Sequence, residues 1–244
     1  MASLQVSAIL LSIITLLTLL VVIKGIKIIT NNDPVLTKKR PVQQFVFIFF
    51  AWIILTGFLS MIGIFDGAAL PPKPMFAALA ALTAIILFSF SASGRSMLMA
   101  TPLHWLIFFQ AFRVLVELWF WHGYQTGFLP QVMSFEGANH DIYAGLLAIV
   151  AGYVVFKFPY GRKPVVIAFN ITGIILLANT LRAAALSMPS PVQQYPFDER
   201  LLLLGNFPFI YLPAVLVPLA FGFHFLSLRQ LWLHRKKMIE KLMA

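Results

Sequence analysis

Apolar residues run through this chain in long blocks broken by short polar stretches, at Leu4 to Ile23, Gln44 to Phe65, Met75 to Ser93, Pro102 to Trp121, Ile142 to Phe158, Pro164 to Ala185 and Phe207 to Leu228. Runs of about 17 or more mostly apolar residues with few charges read as membrane-spanning helices, whereas shorter runs are ambiguous. The pattern therefore predicts an all-α, seven-helix transmembrane bundle in a single integral membrane domain over residues 1–244. The block at 142–158 is the shortest. Turn residues separate the blocks at Asp33-Pro34, Pro71-Pro72-Lys73-Pro74, Pro159-Tyr160-Gly161 and Pro189 to Asn206. Pro102, Pro164 and Pro208 sit near expected helix starts, where a missing backbone N–H costs little. The first block has no Lys or Arg before it and no small-residue cleavage site, so it reads as a retained helix and not as a signal peptide.

Composition agrees with this pattern. The chain is 60% hydrophobic and 11% charged, with a mean hydropathy of +0.90. An ordinary soluble domain is near half apolar and about a quarter charged, and a disordered chain is poor in large apolar residues. Cysteine is absent, which removes disulfides, thiolate nucleophiles and cysteine-ligated metal sites.

The net charge of +10 could point to nucleic acid, but the positions of the charges point to lipid. Of the 18 Lys and Arg, all but Lys73, Arg113, Arg182 and Arg200 fall on one side of the predicted bundle. That side faces the cytoplasm by the positive-inside rule, which puts the N-terminus outside and the C-terminus inside. Asp66, Glu136, Asp141, Asp198 and Glu199 fall on the other side. The basic cluster after the last span reads as a topology anchor on anionic lipid. The partners expected from charge are thus the bilayer and no nucleic acid.

Ionisable groups inside spans are the candidate chemistry, because each costs about 2.5–3.5 kcal/mol near the bilayer centre on insertion scales. Gln110, Arg113 and Glu117 are spaced three and four apart and share one helical stripe. Arg113 and Glu117 could pair along it. In the sixth span Thr172, Asn179 and Arg182 share a face, with Asn170 roughly opposite. Glu117 and Arg182 lie at similar depth, so two Arg and one Glu are expected to meet with one surplus positive charge, which invites an anion. Arg supplies fork-like donors to phosphate or carboxylate.

The loop from His122 to Asp141 holds His122, Glu136, Asn139, His140 and Asp141 around Gly137. Imidazole and carboxylate there could bind a zinc-like ion or act as acid and base. No HxxxH or HExxH spacing is present, however, and the stretch also suits capping of the fifth helix by Asn139 or Asp141. His104 and His224 are too little to argue for haem, and no cofactor is expected. Pro213 and Pro218 should kink the last helix and free the carbonyls of Phe209 and Ala214. Ala144, Ala148 and Gly152 form a small-residue ridge suited to close packing. The last span lacks a Lys for a retinal Schiff base, which excludes a rhodopsin.

The segments Phe109 to Glu117, Phe135 to Asp141, Phe207-Pro208-Phe209, Leu212-Pro213 and His224 to Arg229 resemble a group of multi-pass bacterial inner-membrane proteins with no assigned activity. The likeness covers roughly the second half of the chain and implies an inner-membrane location and no particular catalysis.

The leading expectation is a binding or transport protein with a pocket opening outward between the fourth, sixth and seventh spans. Gln110, Arg113, Asn179 and Arg182 would hold an anionic or zwitterionic molecule or lipid headgroup. Glu117 would balance charge or couple a proton, and Asn139 and Asp141 would form the outer rim. One alternative is a membrane enzyme acting on a lipid or lipid-linked substrate, with Glu117, Glu136, His140 and Asp141 as catalytic candidates and His122, Glu136, His140 and Asp141 as the weak metal candidates. The other is a non-catalytic subunit of a membrane complex or oligomer.

Overall fold

The computed structural model describes residues 2–32, 36, 40–68, 70–158 and 162–243. The turns at Asp33-Pro34 and Pro159-Tyr160-Gly161 lie outside the described residues. Helices form α1 (Ala2–Asn32), α2 (Arg40–Met61), α3 (Lys73–Phe90), α4 (Ala92–Ala100), α5 (Leu103–Phe108), α6 (Phe112–Gln125), α7 (Ile142–Lys157), α8 (Arg162–Leu186) and α9 (Val217–Met243). Among the described residues there is no strand. Six helices are long and apolar enough to cross a membrane: Ala2–Asn32, Gln43–Met61, Lys73–Phe90, Leu103–Gln125, Arg162–Leu186 and Leu212–Arg235. The protein is thus all-helical and of multi-pass membrane type.

Two of these six are not uniform α-helix. A 3₁₀ turn at Phe109–Ala111 joins α5 to α6, and a π-helical turn at Leu212–Leu216 leads into α9. The second follows from Pro213, which removes an intrahelical bond. Pro218 in turn has no N–H for the Ala214 carbonyl, which accepts Trp52 Nε1–H at 3.0 Å, so a neighbouring helix satisfies it, as a low-dielectric setting requires.

Helix α7 has 16 residues, about 24 Å at 1.5 Å per residue, short of the ~30 Å hydrocarbon thickness. The small-residue ridge is buried: Ala144 and Ala148 are fully enclosed. A Cβ on Gly145 would lie 2.7 Å from the Val114 side chain, and one on Gly152 would lie 2.8 Å from the Phe108 ring. Small residues therefore let α7 approach the α5–α6 pair closely.

The preceding loop departs from the expectation of a wet outer segment. Leu129, Met133, Ser134, Asn139 and Asp141 are all buried, and a 3₁₀ turn at Gln131–Met133 folds the chain back onto the bundle. Its apolar residues join Val116, Trp119, Phe120, Phe209 and Leu216 in one core cluster. Irregular backbone can be enclosed in this way when protein covers it and its polar groups find partners. Here Ala138 N–H donates to the Val132 carbonyl, and Gly137 N–H and Asn139 N–H donate to the Ser134 carbonyl.

On the exposed side of this region Arg200 donates to both carboxylate oxygens of Asp198 and to the Gly127 carbonyl at 3.0 Å. The Arg200 guanidinium holds the Asp198 carboxyl below its usual range. The tether is therefore complete above the ordinary carboxylate pKa and loosens as pH falls through the lowered one. Being exposed, it contributes under about 1 kcal/mol.

Candidate functional site

Arg113 is the centre of a buried polar network at the junction of α6, α7, α8 and α9. It is 2% exposed and sits one residue into α6, where the 3₁₀ turn gives way to α-helix. Its fork takes Asp141: Nε donates to Oδ2 at 2.7 Å and Nη2 donates to Oδ1. Nη2 also donates to the Gly173 carbonyl at 3.1 Å. Nη1 lies 2.9 Å from His224 Nε2.

A guanidinium N–H can only donate, so His224 Nε2 is a bare acceptor and the ring is neutral with its hydrogen on Nδ1. That hydrogen is directed to Asn170 Oδ1 at 2.9 Å. Asn170 Nδ2 in turn donates to the Val166 carbonyl at 2.7 Å and to Ser227 Oγ at 3.0 Å. Every tautomer and amide orientation along this line agrees with its neighbours.

The acidic partner is at the other end. Glu117, 1% exposed, makes no ion pair with Arg113, because the bidentate geometry offered by Asp141 has taken the guanidinium. Asn139 is its hydrogen-bonding partner among the described residues: Nδ2 lies 3.0 and 2.8 Å from the two carboxylate oxygens and also donates to the Met133 carbonyl at 2.9 Å. Asn139 Oδ1 accepts from Asp141 N–H at 3.1 Å and from the Thr180 hydroxyl at 2.5 Å. Asn139 thereby orders α6, α8 and the loop together.

Four expectations are corrected by these positions. Arg182 does not join Arg113; it is exposed and donates to Asn179 Oδ1 at 3.1 Å and Gln194 Oε1 at 3.5 Å. Asn179 is half-buried and donates to the Ala138 carbonyl at 2.6 Å, beside the loop and not in the network. Asn139 and Asp141 are not a rim, being 0% and 3% exposed. Asp141 stands at the start of α7 without capping it by its side chain, since Arg113 holds its carboxylate.

Gln110 is where the stripe places it, fully buried, with Nε2 donating to the Ala220 carbonyl at 3.2 Å and Oε1 unpartnered. Glu136 and His140 are exposed. Glu136 accepts from Trp121 Nε1 at 2.7 Å, and His140 Nδ1 lies 3.1 Å from the Ala138 carbonyl. His122 is half-buried against Phe128, with Nε2 unpartnered. These three do not converge with Asp141, and among the described residues no group of three or more His, Asp or Glu assembles.

The residues that sequence reasoning missed are Asn170, Gly173, Thr180, His224 and Ser227. Asn170, Gly173, Leu177 and Thr180, spaced three, four and three apart, form the buried face of α8. This face is opposite the one bearing Arg182. Gly173 matters because a Cβ there would stand 2.6 Å from His224 Nε2 and 3.3 Å from Arg113 Nη1. Both neighbours are held on their other sides. Gly173→Ala is therefore expected to destabilise the protein by about 1–3 kcal/mol, as overpacking does. Thermal unfolding in detergent would measure it, and an unchanged midpoint would show that the network can yield.

Glu117 and Asp141 also line a cavity of about 210 Å³. Thr180 is the other polar side chain in its described lining, which is otherwise apolar and drawn mainly from α3, α6, α8, the 3₁₀ turn at Glu199–Gly205, and the π turn and α9 that follow it. Helices α3 and α8 both line it and pack against each other at most sparsely. At this gap Met75, Leu79 and Leu181 are 41%, 48% and 39% exposed.

Residues 70–232 match the family model described as a domain of unknown function (DUF8737). No curated protein and no solved structure matches the chain.

Proposed function

The chain belongs to the DUF8737 family, whose description carries no activity, and we propose from the site that the protein binds or transports a lipid-like amphiphile within the membrane. The amphiphile's apolar body lies in the cavity between α3, α6, α8 and α9, and its polar head sits at Glu117, Thr180 and Asp141. The observation that carries this reading is a buried carboxyl group, Glu117, lining a cavity that is apolar apart from Thr180 and Asp141. A largely apolar, pre-formed concavity with a few convergent polar groups is the usual form of a small-molecule site. The expected surplus of positive charge rested on Arg182. With Arg182 at the surface and Asp141 inside, the network around Arg113 holds one Arg, two acids and a neutral His, so the head is not an isolated anion.

The same reading has the chain crossing a bacterial inner membrane seven times, with the short α7 as the additional span, the N-terminus outside and the C-terminus in the cytoplasm. Its support is the one-sided placement of Lys and Arg. The hydrogen-bonded loop before α7 supports it as well, by covering the length that α7 lacks.

Cavity filling tests the proposal. Ala78 on α3 and Ala184 on α8 line the cavity on opposite walls and are half-buried. Native mass spectrometry of protein purified in mild detergent should find a co-purifying amphiphile. Ala78→Trp and Ala184→Trp should each reduce its occupancy at least about tenfold, the equivalent of about 1.4 kcal/mol. Equal occupancy in both variants would overturn the reading.

A further inference from the structure

Resting on that reading, the geometry points to a specific class of occupant: we propose that the cavity takes a long-chain amine, with its ammonium on Glu117 and its hydrocarbon among the apolar lining, arriving sideways from the bilayer between α3 and α8.

The charge balance of the network carries the choice of head. Arg113 spends four of its five N–H donors on Asp141, His224 and Gly173 and is not among the residues lining the cavity, so it does not present its fork to a head there without releasing Asp141. His224 is neutral by its own hydrogen bonds. Arg113 and Asp141 cancel, which leaves the Glu117 carboxyl with no cation within ion-pairing distance among the described residues. Its two oxygens share one amide group, Asn139 Nδ2, although a carboxylate offers about four acceptor positions. The unused capacity meets the cavity.

An ammonium supplies three donors, no acceptor and one positive charge, which complements Glu117 together with the Thr180 hydroxyl oxygen and the edge of Asp141. An alcohol head supplies one donor and no charge. A carboxylate head would face two acids. A phosphate-bearing amine, such as an ethanolamine phospholipid, would carry into the cavity an anion with no cationic side chain to match it in the described lining, so the occupant is the simple amine.

The route follows from the walls. The cavity is larger than the roughly 150 Å³ that accepts benzene in an engineered apolar void. Its apolar lining includes the exposed Met75, Leu79 and Leu181 at the sparsely packed edge between α3 and α8. A hydrocarbon chain can lie across this edge with its end still in lipid. A second cavity of about 90 Å³, near Ile85 and Leu219, has no ionisable side chain in its described lining. It therefore serves as an internal contrast, able to accept hydrocarbon but not to prefer an amine.

The experiment is a binding series on the purified full chain in neutral detergent, using dodecylamine, dodecanol, dodecanoate and phosphatidylethanolamine, read by native mass spectrometry. Dodecylamine is expected to bind at least about tenfold more tightly than dodecanol, in line with hydrogen bonds to charged groups, and dodecanoate most weakly. Glu117→Gln should bring amine and alcohol within about twofold of each other while dodecanol binding persists, which separates a lost charge from a lost fold. Equal binding of amine and alcohol by the wild type, or tighter binding of dodecanoate or phosphatidylethanolamine, overturns the amine assignment and leaves the cavity reading standing if Ala78→Trp still blocks all four. If none of the four binds, or Ala78→Trp changes nothing, both readings fall.

The chain has no Cys, so Leu79→Cys with Leu181→Cys can be bridged by a bismaleimide. The bridge should slow dodecylamine association several-fold. An unchanged association rate overturns the lateral route.

Discussion

Asp141→Ala is expected to be the most damaging single substitution in the network, at about 3–5 kcal/mol, because it leaves the Arg113 guanidinium buried without its counter-charge. Arg113 is 2% exposed, and Gly173 and His224 supply only neutral acceptors. The double variant Arg113→Met with Asp141→Leu removes both charges and keeps most of the volume. It is expected to recover most of the loss, since apolar replacement of a buried pair is often neutral or stabilising. Unfolding midpoints of the wild type, the single variant and the double variant, followed by tryptophan fluorescence in one detergent, give the comparison. A double variant no better than the single one would mean that Arg113 acts mainly through packing and through its bonds to α8 and α9. The double variant keeps Glu117 and Asn139, so it also asks whether the amine assignment needs the ion pair at all. On the charge balance above, it does not.

The helices are legible in the sequence because membrane segments are written in length and composition, and those are local properties. Each predicted block has a helical counterpart, and a π turn at Leu212–Leu216 stands where Pro213 and Pro218 interrupt the last helix, the Ala214 carbonyl that Pro218 leaves free accepting from Trp52. The bundle's inner surface is harder to read. On α8 the sequence offers two polar faces, Thr172 with Asn179 and Arg182 on one side and Asn170 on the other. The cost of a charge in lipid favours the charged face as the inner one, and the structure reverses that choice. Arg182 lies within the last turns of α8, where its long stem places the guanidinium outside the core, beside Asn179 and Gln194. The inner face is marked instead by Gly173, whose missing side chain admits the His224 ring.

Asp141 escapes a sequence reading for a different reason. Loops are normally surface features, and no local pattern states that residues 126–141 fold inward. The shortness of the fifth block is the one available sign. Its consequence is large, since exchanging Arg182 for Asp141 replaces a surplus cation in the network by a surplus acid, and with it changes the class of ligand proposed.

Gly137→Ala tests the loop as the device that builds the site. A Cβ at Gly137 would collide with the backbone carbonyl of Gln131, and Val132 Cα would be 2.9 Å away. These are main-chain atoms of a 3₁₀ turn fixed by Ser134 N–H to Gln131 O at 2.9 Å and Ala138 N–H to Val132 O at 3.3 Å, so no rotamer change relieves the clash. The loop must move outward, and Asn139 and Asp141 follow two and four residues later. The expected loss is about 1–3 kcal/mol from overpacking alone, with a further share as the Arg113–Asp141 pair is pulled apart. Dodecylamine preference should fall toward that of Glu117→Gln, because Asn139 no longer presents the Glu117 carboxylate to the cavity. Gly127→Ala provides the control. Gly127 has φ +77°, and a Cβ there would meet nothing within 4 Å, so Ala incurs the left-handed strain of about 1–2 kcal/mol without touching the site. If both variants lose stability but only Gly137→Ala loses amine preference, the inward loop is what sets Glu117 for its ligand. If both lose the preference alike, general stability governs binding, and the loop has no special part in it.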